Sequence, residues 1–292
     1  MAYEAYQAGK TKAEAKQYEE AIASFKKAIE VGDPDKAYDA NIMSAAKKSM
    51  AAAVLNQGTA LRNEKDYAAA LEAYLNAYEL AQESEAGKIA DIAMKNGTRV
   101  AYVRGNELKS EEQYEAALEV YEQGISLDST YYKNFLGQAQ ALEELDQFLK
   151  SMKAYMATGD LCLADEDEEV VEKGEKMYKK AVNMIAIASS EKEWDNTIEM
   201  ATAYLEVRED ADVHYYLGNA LLEKGNADEA LMHAEKAVEL KADDVDDTGK
   251  YLMLKGGAFE AQGKTAEAIE SYKAVSGKYG ESASYRIKEL SN

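Results

Sequence analysis

The chain has 292 residues, of which 47% are hydrophobic and 30% charged, and these proportions are typical of a folded protein rather than a disordered one. Its formal charge of −21 argues against nucleic acid and anionic lipid as partners, because both attract a basic surface. It contains a single proline, which favours helices joined by short turns built on Gly and Asp.

A pattern of small and aromatic residues recurs along the predicted helices. In the first copy Tyr18 is followed by Ala21, Phe25 and Ala28, a spacing that places all four on one helix face. Each copy is preceded by a helical segment that contains glycine, so each repeat is predicted to be two helices and a turn. The copies begin at Tyr18, Tyr67, Tyr114, Ala227 and Thr265, and the glycines are Gly9, Gly58, Gly105, Gly218 and Gly256.

These residues resemble the tetratricopeptide repeat (TPR) family, in which a Leu-Gly pair marks the first helix and aromatic and alanine residues mark the second. Leu217-Gly218, Ala230 and Ala237 carry the pattern in its cleanest copy. The resemblance covers nearly the whole chain and implies an all-α fold: a right-handed superhelix of about seven helix pairs in a single array, 1–292. The predicted repeats are about 2–35, 51–84, 98–131, 131–165, 168–210, 211–244 and 249–282, with a capping helix at 281–292.

The spacing of the repeats is irregular. The second helices are expected to begin at Tyr18, Tyr67, Tyr114, Phe148, Trp194, Ala227 and Thr265, which lie 49, 47, 34, 46, 33 and 38 residues apart. The TPR unit has 34 residues, so three intervals carry about a dozen more. Because these residues are alanine-rich and follow helical periodicity, they are predicted to lengthen the first helices by about three turns.

The resemblance also implies a binding surface, since the first helices of the family line the concave face of the array. By position, repeats two to four are expected to form a peptide-binding groove. It includes two of the five arginines and no acidic residue. An alternative is that these arginines pair with glutamates on adjacent helices. The predicted groove residues are Arg62, Asn63, Arg99, Tyr102, Asn106, Lys109, Asn134 and Gln138.

A more specific ligand is rejected. Chaperone-binding members of the family hold a C-terminal carboxylate with Lys and Asn residues on three successive first helices. Asn56 and Arg99 match two of those positions, but Tyr6, Lys10 and Val103 do not supply the others.

No catalytic or cofactor site is predicted. His214 and His233 are the only histidines and fall in different helices without metal-ligand spacing, and Cys162 precedes an acidic run that disfavours its thiolate. The acidic runs at 165–169 and 243–247 are interpreted as helix caps rather than calcium sites.

The predicted function is therefore that of a non-enzymatic scaffold or adaptor that binds a protein or an extended peptide. The alternatives are self-association into a homo-oligomer and a regulatory subunit of a larger complex. No run of about 18 apolar residues occurs, so no membrane insertion is expected. The compartment stays open: cytoplasmic if Met1 is the native start, periplasmic or exported if a signal segment has been removed.

Overall fold

A computed structural model describes residues 1–241 and 245–291, and every regular element in those ranges is helical. The chain divides into two compact units, Met1–Asp146 (unit 1) and Gln147–Asn292 (unit 2). Unit 1 contains α1 (Ala2–Glu14), α2 (Tyr18–Val31), α3 (Ala37–Asn63), α4 (Tyr67–Glu83), α5 (Gly87–Ser110), α6 (Tyr114–Leu127) and α7 (Tyr132–Glu144). Unit 2 contains α8 (Phe148–Leu163), α9 (Glu168–Ser190), α10 (Trp194–Leu205), α11 (Ala211–Glu223), α12 (Ala227–Leu240), α13 (Val245–Ala261), α14 (Thr265–Lys273), a 3₁₀ turn (Gly277–Tyr279) and α15 (Gly280–Leu290).

Within each unit, every helix packs against the next one in the chain. The prediction of an all-α protein built from helix-turn-helix repeats is thus confirmed. That the repeats form one array from 1 to 292 stays a prediction, because the two units are compact separately.

The recurring alanines and aromatics form the core between the helices of a pair. The repeated alanines Ala21, Ala70, Ala117, Ala230 and Ala268 have no exposed surface. The aromatics that follow them in four copies are also buried, and an alanine at the crossing lets the helix axes approach closely. Those aromatics are Phe25, Tyr74, Tyr121 and Tyr272.

The repeat glycines provide space for these aromatic rings. A Cβ atom added to Gly105 would lie 2.4 Å from the ring of Tyr121, and one added to Gly256 would lie 2.3 Å from the ring of Tyr272. Tyr121 is enclosed from two sides, because a Cβ on Gly137 of α7 would lie 2.3 Å from the same ring. One aromatic ring therefore joins α5, α6 and α7.

The turns within the helix pairs differ from the prediction of Gly- and Asp-based turns. In every pair, the residue two positions before the second helix has a positive φ, and only Gly225 and Gly263 are glycines there. Charged residues occupy this left-handed position in the other pairs, where each costs roughly 1 kcal/mol relative to glycine. They are Lys16, Lys65, Glu112, Asp146 and Lys192.

The extra residues lengthen the first helices, as predicted. Helices α3, α5 and α9 have 27, 24 and 23 residues, whereas α1, α7 and α11 have 13 each. The added turns of α3 are packed at several points: the ring of Tyr38 lies 6.3 Å from that of Tyr3 in α1, and Met43 contacts Gly32.

Helix α15 covers the last helix pair, as expected of a cap. Ala283 is buried with Ala268 and Tyr272, and Ile287 and Leu290 pack against them. Tyr285, in contrast, is 61% exposed and donates its hydroxyl hydrogen to Glu289. The last residue of the predicted cap, Asn292, lies outside the described residues.

Candidate functional site

The predicted groove residues all lie in unit 1, on three first helices. Arg62 and Asn63 end α3, four residues lie along α5, and two lie on α7. The first helices contact one another, since α3 packs against α5 and α5 against α7. On α5, Arg99, Tyr102, Asn106 and Lys109 follow helical spacing and share one face.

The centre of this face is a cluster of cations and tyrosines, here called the Tyr102 cluster: Arg99, Tyr102, Tyr131 and Lys133. The rings of Tyr102 and Tyr131 meet edge to face, with centroids 6.3 Å apart. Nζ of Lys133 lies 6.0 Å from each ring centroid, within the range of cation–π attraction. The side chain of Arg99 is exposed one turn before Tyr102.

Two electrostatic effects oppose each other at Tyr131. Burial is the larger and raises the pKa of its hydroxyl, with a further increase from Tyr102, whereas the positive charge of Arg99 lowers it. Arg99 thus acts electrostatically on the hydroxyl of Tyr131, whose ring Lys133 also faces. Val103, beside Tyr102, is 37% exposed and adds an apolar surface to α5.

The five arginines differ in whether they form ion pairs with carboxylates, and this difference bears on which of them can bind a ligand. Among the residues that the structure describes, neither Arg62 nor Arg99 forms an ion pair with a carboxylate. The described residues thus give no support to the alternative in which these two pair with neighbouring glutamates. The arginines that do pair are Arg104 with Glu107, Arg208 with Glu175, and Arg286 with Glu260 and Glu289.

Asn106 and Lys109 are engaged with other parts of unit 1. The Tyr121 hydroxyl donates a 2.8 Å hydrogen bond to Oδ1 of Asn106. Nζ of Lys109 donates to Oε1 of Gln140, which links α5 to α7. Burial lowers the pKa of Lys109 below its ordinary value, although Glu144 partly offsets this. Both residues thus support the face and offer only part of their polar groups to a ligand.

Asn134 does not belong to the exposed surface. It is fully buried, and its Nδ2 donates a 3.2 Å hydrogen bond to the backbone carbonyl of Thr98. Its Oδ1 is also buried and accepts no hydrogen bond from the described part of the chain. A side chain without exposed surface cannot contact a peptide, so the assignment of Asn134 to the groove is corrected. Gln138, one turn further along α7, is half-buried.

The α3 residues lie beside a separate opening. Asn63 is exposed and lines a cleft of about 700 Å³ between α3 and the turn that joins α1 to α2. Asn56 and Gln57 line the same cleft, so its α3 wall is rich in amide groups. Arg62 is half-buried and is not among the lining residues. Of the predicted set, Arg99 and Tyr102 therefore belong to the Tyr102 cluster, and Asn63 belongs to an amide-lined cleft.

Tyr131 and Lys133 were missed by sequence reasoning, although one signal pointed to Tyr131. Tyr131 lies six residues before Gly137, as Arg99 lies six residues before Gly105, so both occupy the same repeat position. Nothing in the sequence pattern indicates that Lys133 lies over both rings.

The other candidate residues have structural roles. Cys162 is buried, and burial raises the pKa of its thiol. Asp167 caps α9 by accepting a 2.9 Å hydrogen bond from the Glu169 amide, which fits the capping interpretation of the first acidic run. The second run, 243–247, lies outside the residues whose side chains are described. Within residues 1–241 and 245–291, no three His, Cys, Asp or Glu side chains lie together as metal ligands.

No helix in the described ranges combines the length and the apolarity needed to cross a membrane.

Two sequence models described as tetratricopeptide repeat match the chain, one at residues 6–85 and 188–245 and the other at 98–131. No curated protein sequence matches it.

Several solved structures are similar to this chain at low identity and with low TM-scores. The TPR2AB domain of yeast Sti1, solved in a complex with pHSP90, is 20% identical over 100% of this chain and 99% of that one, with a TM-score of 0.35. The TPR protein YrrB is 15% identical over 60% and 82%, with a TM-score of 0.33. A thermophilic TPR protein of Thermus thermophilus is 15% identical over 66% and 98%, with a TM-score of 0.30. None of the three assigns a role to a residue of this chain. The matched sequence models, which together span more than half of the residues, show that the chain belongs to the tetratricopeptide repeat family.

Proposed function

We propose that this protein is a non-enzymatic scaffold or adaptor that binds an extended segment of another protein along the first helices of unit 1. Membership of a repeat family supports a binding role, because stacked repeats provide long surfaces for partners. One observation carries the assignment to unit 1. Arg62 and Arg99 are the arginines without a carboxylate partner in the described chain, and Arg99 lies in the Tyr102 cluster in a protein of net charge −21.

The chemistry of the cluster favours a ligand with carboxylate groups. The guanidinium of Arg99 can donate two parallel hydrogen bonds to a carboxylate, and the ammonium of Lys133 adds a second positive charge. Tyr102 offers both an aromatic ring and a hydroxyl, and exposed Val103 offers a contact for an apolar side chain. The expected ligand is an extended acidic peptide with interspersed apolar residues, and its affinity is expected to fall with added salt.

The proposal includes that the protein is not an enzyme. Both histidines of the chain, His214 and His233, lie in unit 2, so the proposed face contains no imidazole to act as a general base. Its polar groups instead support neighbouring helices, as Asn106 does for Tyr121 and Lys109 for α7.

Affinity capture from a lysate of the source cells tests the proposal. The tagged full chain is compared with a variant carrying Arg99→Gln, Tyr102→Ala and Lys133→Gln, and captured proteins are quantified by mass spectrometry. The matched control is Arg104→Gln, which removes an arginine from the same helix that is already paired with Glu107. We expect the control to recover the same partners as the parent and the cluster variant to lose them. Equal recovery by all three proteins would show that the Tyr102 cluster is not the binding site.

Light scattering after size-exclusion separates this proposal from self-association. A stable oligomer that persists in a protein carrying Arg99→Glu and Tyr102→Ala, together with unchanged capture, would favour the structural alternative. A monomer that captures partners through the cluster favours the adaptor.

A further inference from the structure

The only two histidines of the chain meet in unit 2. His214 of α11 and His233 of α12 approach with their Nδ1 atoms 2.8 Å apart and their ring centroids 5.1 Å apart. His214 is buried, and its other nitrogen, Nε2, lies 2.7 Å from Oε2 of Glu209 in the segment before α11. A continuous chain of hydrogen bonds thus joins Glu209, His214 and His233.

The geometry fixes which nitrogen carries each hydrogen. An ionised carboxylate only accepts hydrogen bonds, so Nε2 of His214 must donate to Glu209. In a neutral His214, Nδ1 is then the acceptor. The 2.8 Å contact between the rings therefore requires that Nδ1 of His233 carry a hydrogen, which leaves Nε2 of His233 as the basic nitrogen.

The histidine pair has two sites for added protons, and they differ in their effect on the contact. The first added proton binds Nε2 of His233, and the hydrogen bond from His233 Nδ1 to His214 Nδ1 is unchanged. A second proton binds Nδ1 of His214, the acceptor of that bond. Two N–H groups and two positive rings would then face each other at 2.8 Å, a contact that is repulsive and has no acceptor.

The charges around the pair permit the first proton and oppose the second. Burial is the largest influence and lowers the pKa of His233, and His214 lowers it further, whereas Glu229 and Glu209 act in the opposite direction. Lys236 of α12 adds a positive charge near Glu209. Several charges on and around α11 and α12 form ion pairs of their own: Lys250 with Asp212, Lys255 with Glu235, Asp195 with Lys224, and Glu175 with Arg208.

We propose that the His214–His233 pair is a proton-operated latch between α11 and α12, closed when the pair carries no added proton or one and opened by the second. The consequence is local, because the pair connects the two helices of one repeat. Both histidines of the unfolded chain take up a proton near the ordinary pKa of about 6.5, whereas the 2.8 Å contact in the folded chain opposes the second proton. The folded pair therefore binds fewer protons in acid, so the stability that the contact contributes is present above that pH and is lost as the pH falls below it. Acidification therefore weakens the α11–α12 pair before it affects helix pairs without such a latch.

Nitrogen-15 NMR of the imidazole rings in the full chain tests the geometry directly, since each signal must come from one of two histidines. At neutral pH we expect His214 with its hydrogen on Nε2 and His233 with its hydrogen on Nδ1. On acidification we expect two separate steps, the second below the ordinary histidine range. Two rings that both carry hydrogen on Nε2 and titrate independently in one step would overturn the latch.

Hydrogen exchange measures the effect on the helices. After correction for intrinsic exchange rates, the α11 and α12 amides of the parent are expected to lose protection between neutral and mildly acidic pH, while the α1 and α2 amides keep it. His233→Phe, at a half-buried position, should remove this pH dependence, and Glu229→Gln should retain it. An equal loss of protection in the parent and in His233→Phe would overturn the proposal. If His233→Phe does not fold, the NMR titration of the parent decides.

Discussion

The two units contain clusters of the same residue types with different electrostatic outcomes. In unit 1, the rings of Tyr102 and Tyr131 are 6.3 Å apart, and Lys133 lies 6.0 Å from each. In unit 2, the rings of Tyr215 and Tyr251 are 6.0 Å apart. Lys250 lies 5.5 and 5.1 Å from those two rings. Both clusters bring two tyrosines and a lysine together on neighbouring first helices.

One difference between the clusters lies at an equivalent position of α5 and α11. In unit 2, Asp212 pairs with Lys250 and accepts a 2.8 Å hydrogen bond from the Tyr251 hydroxyl. Asp212 lies six residues before Gly218, the position that Arg99 occupies before Gly105 in unit 1. An acid at this position satisfies the cluster internally, whereas an arginine adds a positive charge to it. The side chain at this position therefore contributes to the difference in charge between the two clusters.

The largest effect is expected when the ring of Tyr121, which supports the unit 1 cluster, is removed. Tyr121→Ala leaves a cavity between Gly105 and Gly137, so the free energy of unfolding of unit 1 should fall by about 3–5 kcal/mol. In urea titrations, circular dichroism reports both units, and the fluorescence of Trp194, the only tryptophan, reports unit 2. In Tyr121→Ala we expect the unit 1 transition in circular dichroism to shift and the Trp194 transition to stay in place. In Tyr272→Ala we expect the reverse. Equal shifts of both signals would instead support a single cooperative array.

Removing the acid of the unit 2 cluster has a smaller effect. Asp212→Ala removes one carboxylate that pairs with the half-buried Lys250, and because the pair is partly exposed the loss of stability should be about 1–2 kcal/mol. Asp195→Ala, which breaks a highly exposed pair with Lys224, is the control and should cost less than about 0.5 kcal/mol.

The contribution of Asp212 has a defined pH dependence. Burial alone would raise the pKa of Asp212, but hydrogen bonds from Lys250 and Tyr251 and the lysine charge lower it below its ordinary value. Stability from this group is therefore present above the unfolded pKa of about 3.9 and is lost as the pH falls through the folded one. Chemical denaturation across that range should show a steeper decline in the parent than in Asp212→Ala. Parallel pH profiles would contradict this account.

The smallest effect concerns Lys109, which is half-buried and forms no ion pair with a carboxylate in the described part of the chain. Burial lowers the pKa of Lys109, so charging it opposes folding, and Lys109→Met should leave stability unchanged or raise it by up to about 1 kcal/mol. The unfolded chain keeps this proton to higher pH than the folded one. The parent should therefore gain stability as the pH rises through the folded pKa, and the variant should not. A loss as large as that of Asp212→Ala would show that the bond to Gln140 matters more than burial.

The sequence predicted the parts of this account that depend on periodicity. The spacing of Ala21, Ala70 and Ala117 identified buried helix crossings, and the long intervals located α3, α5 and α9. Periodicity says nothing about contacts between residues far apart in the sequence. The position of Lys133 over Tyr102, and of His214 against His233, depends on how neighbouring helices lie.

Asn134 and Gln138 were both assigned to the groove by the family pattern, but they differ in burial. Asn134 and Gln138 are one turn apart on α7, yet Asn134 is turned inward to the Thr98 carbonyl. Helical spacing of four residues places both near one face, but the crossing of α5 and α7 decides which side chain is covered. The turn residues were mispredicted for a related reason: packing of the helix pair holds Lys16 and Glu112 in a left-handed conformation that local preference disfavours.

The most direct test of the central claim replaces Arg99 by aspartate, the residue that unit 2 has at the equivalent position. Fluorescence anisotropy would measure the binding of a labelled peptide of alternating Glu and Leu to the parent, to Arg99→Asp and to Arg104→Asp, which makes the same charge change on the same helix. The account predicts similar affinities for the parent and Arg104→Asp. It predicts a loss of about tenfold or more, or at least about 1.4 kcal/mol, for Arg99→Asp. Equal affinity of all three proteins for the acidic peptide, or tighter binding of a matched Lys and Leu peptide by the parent, would contradict the claim.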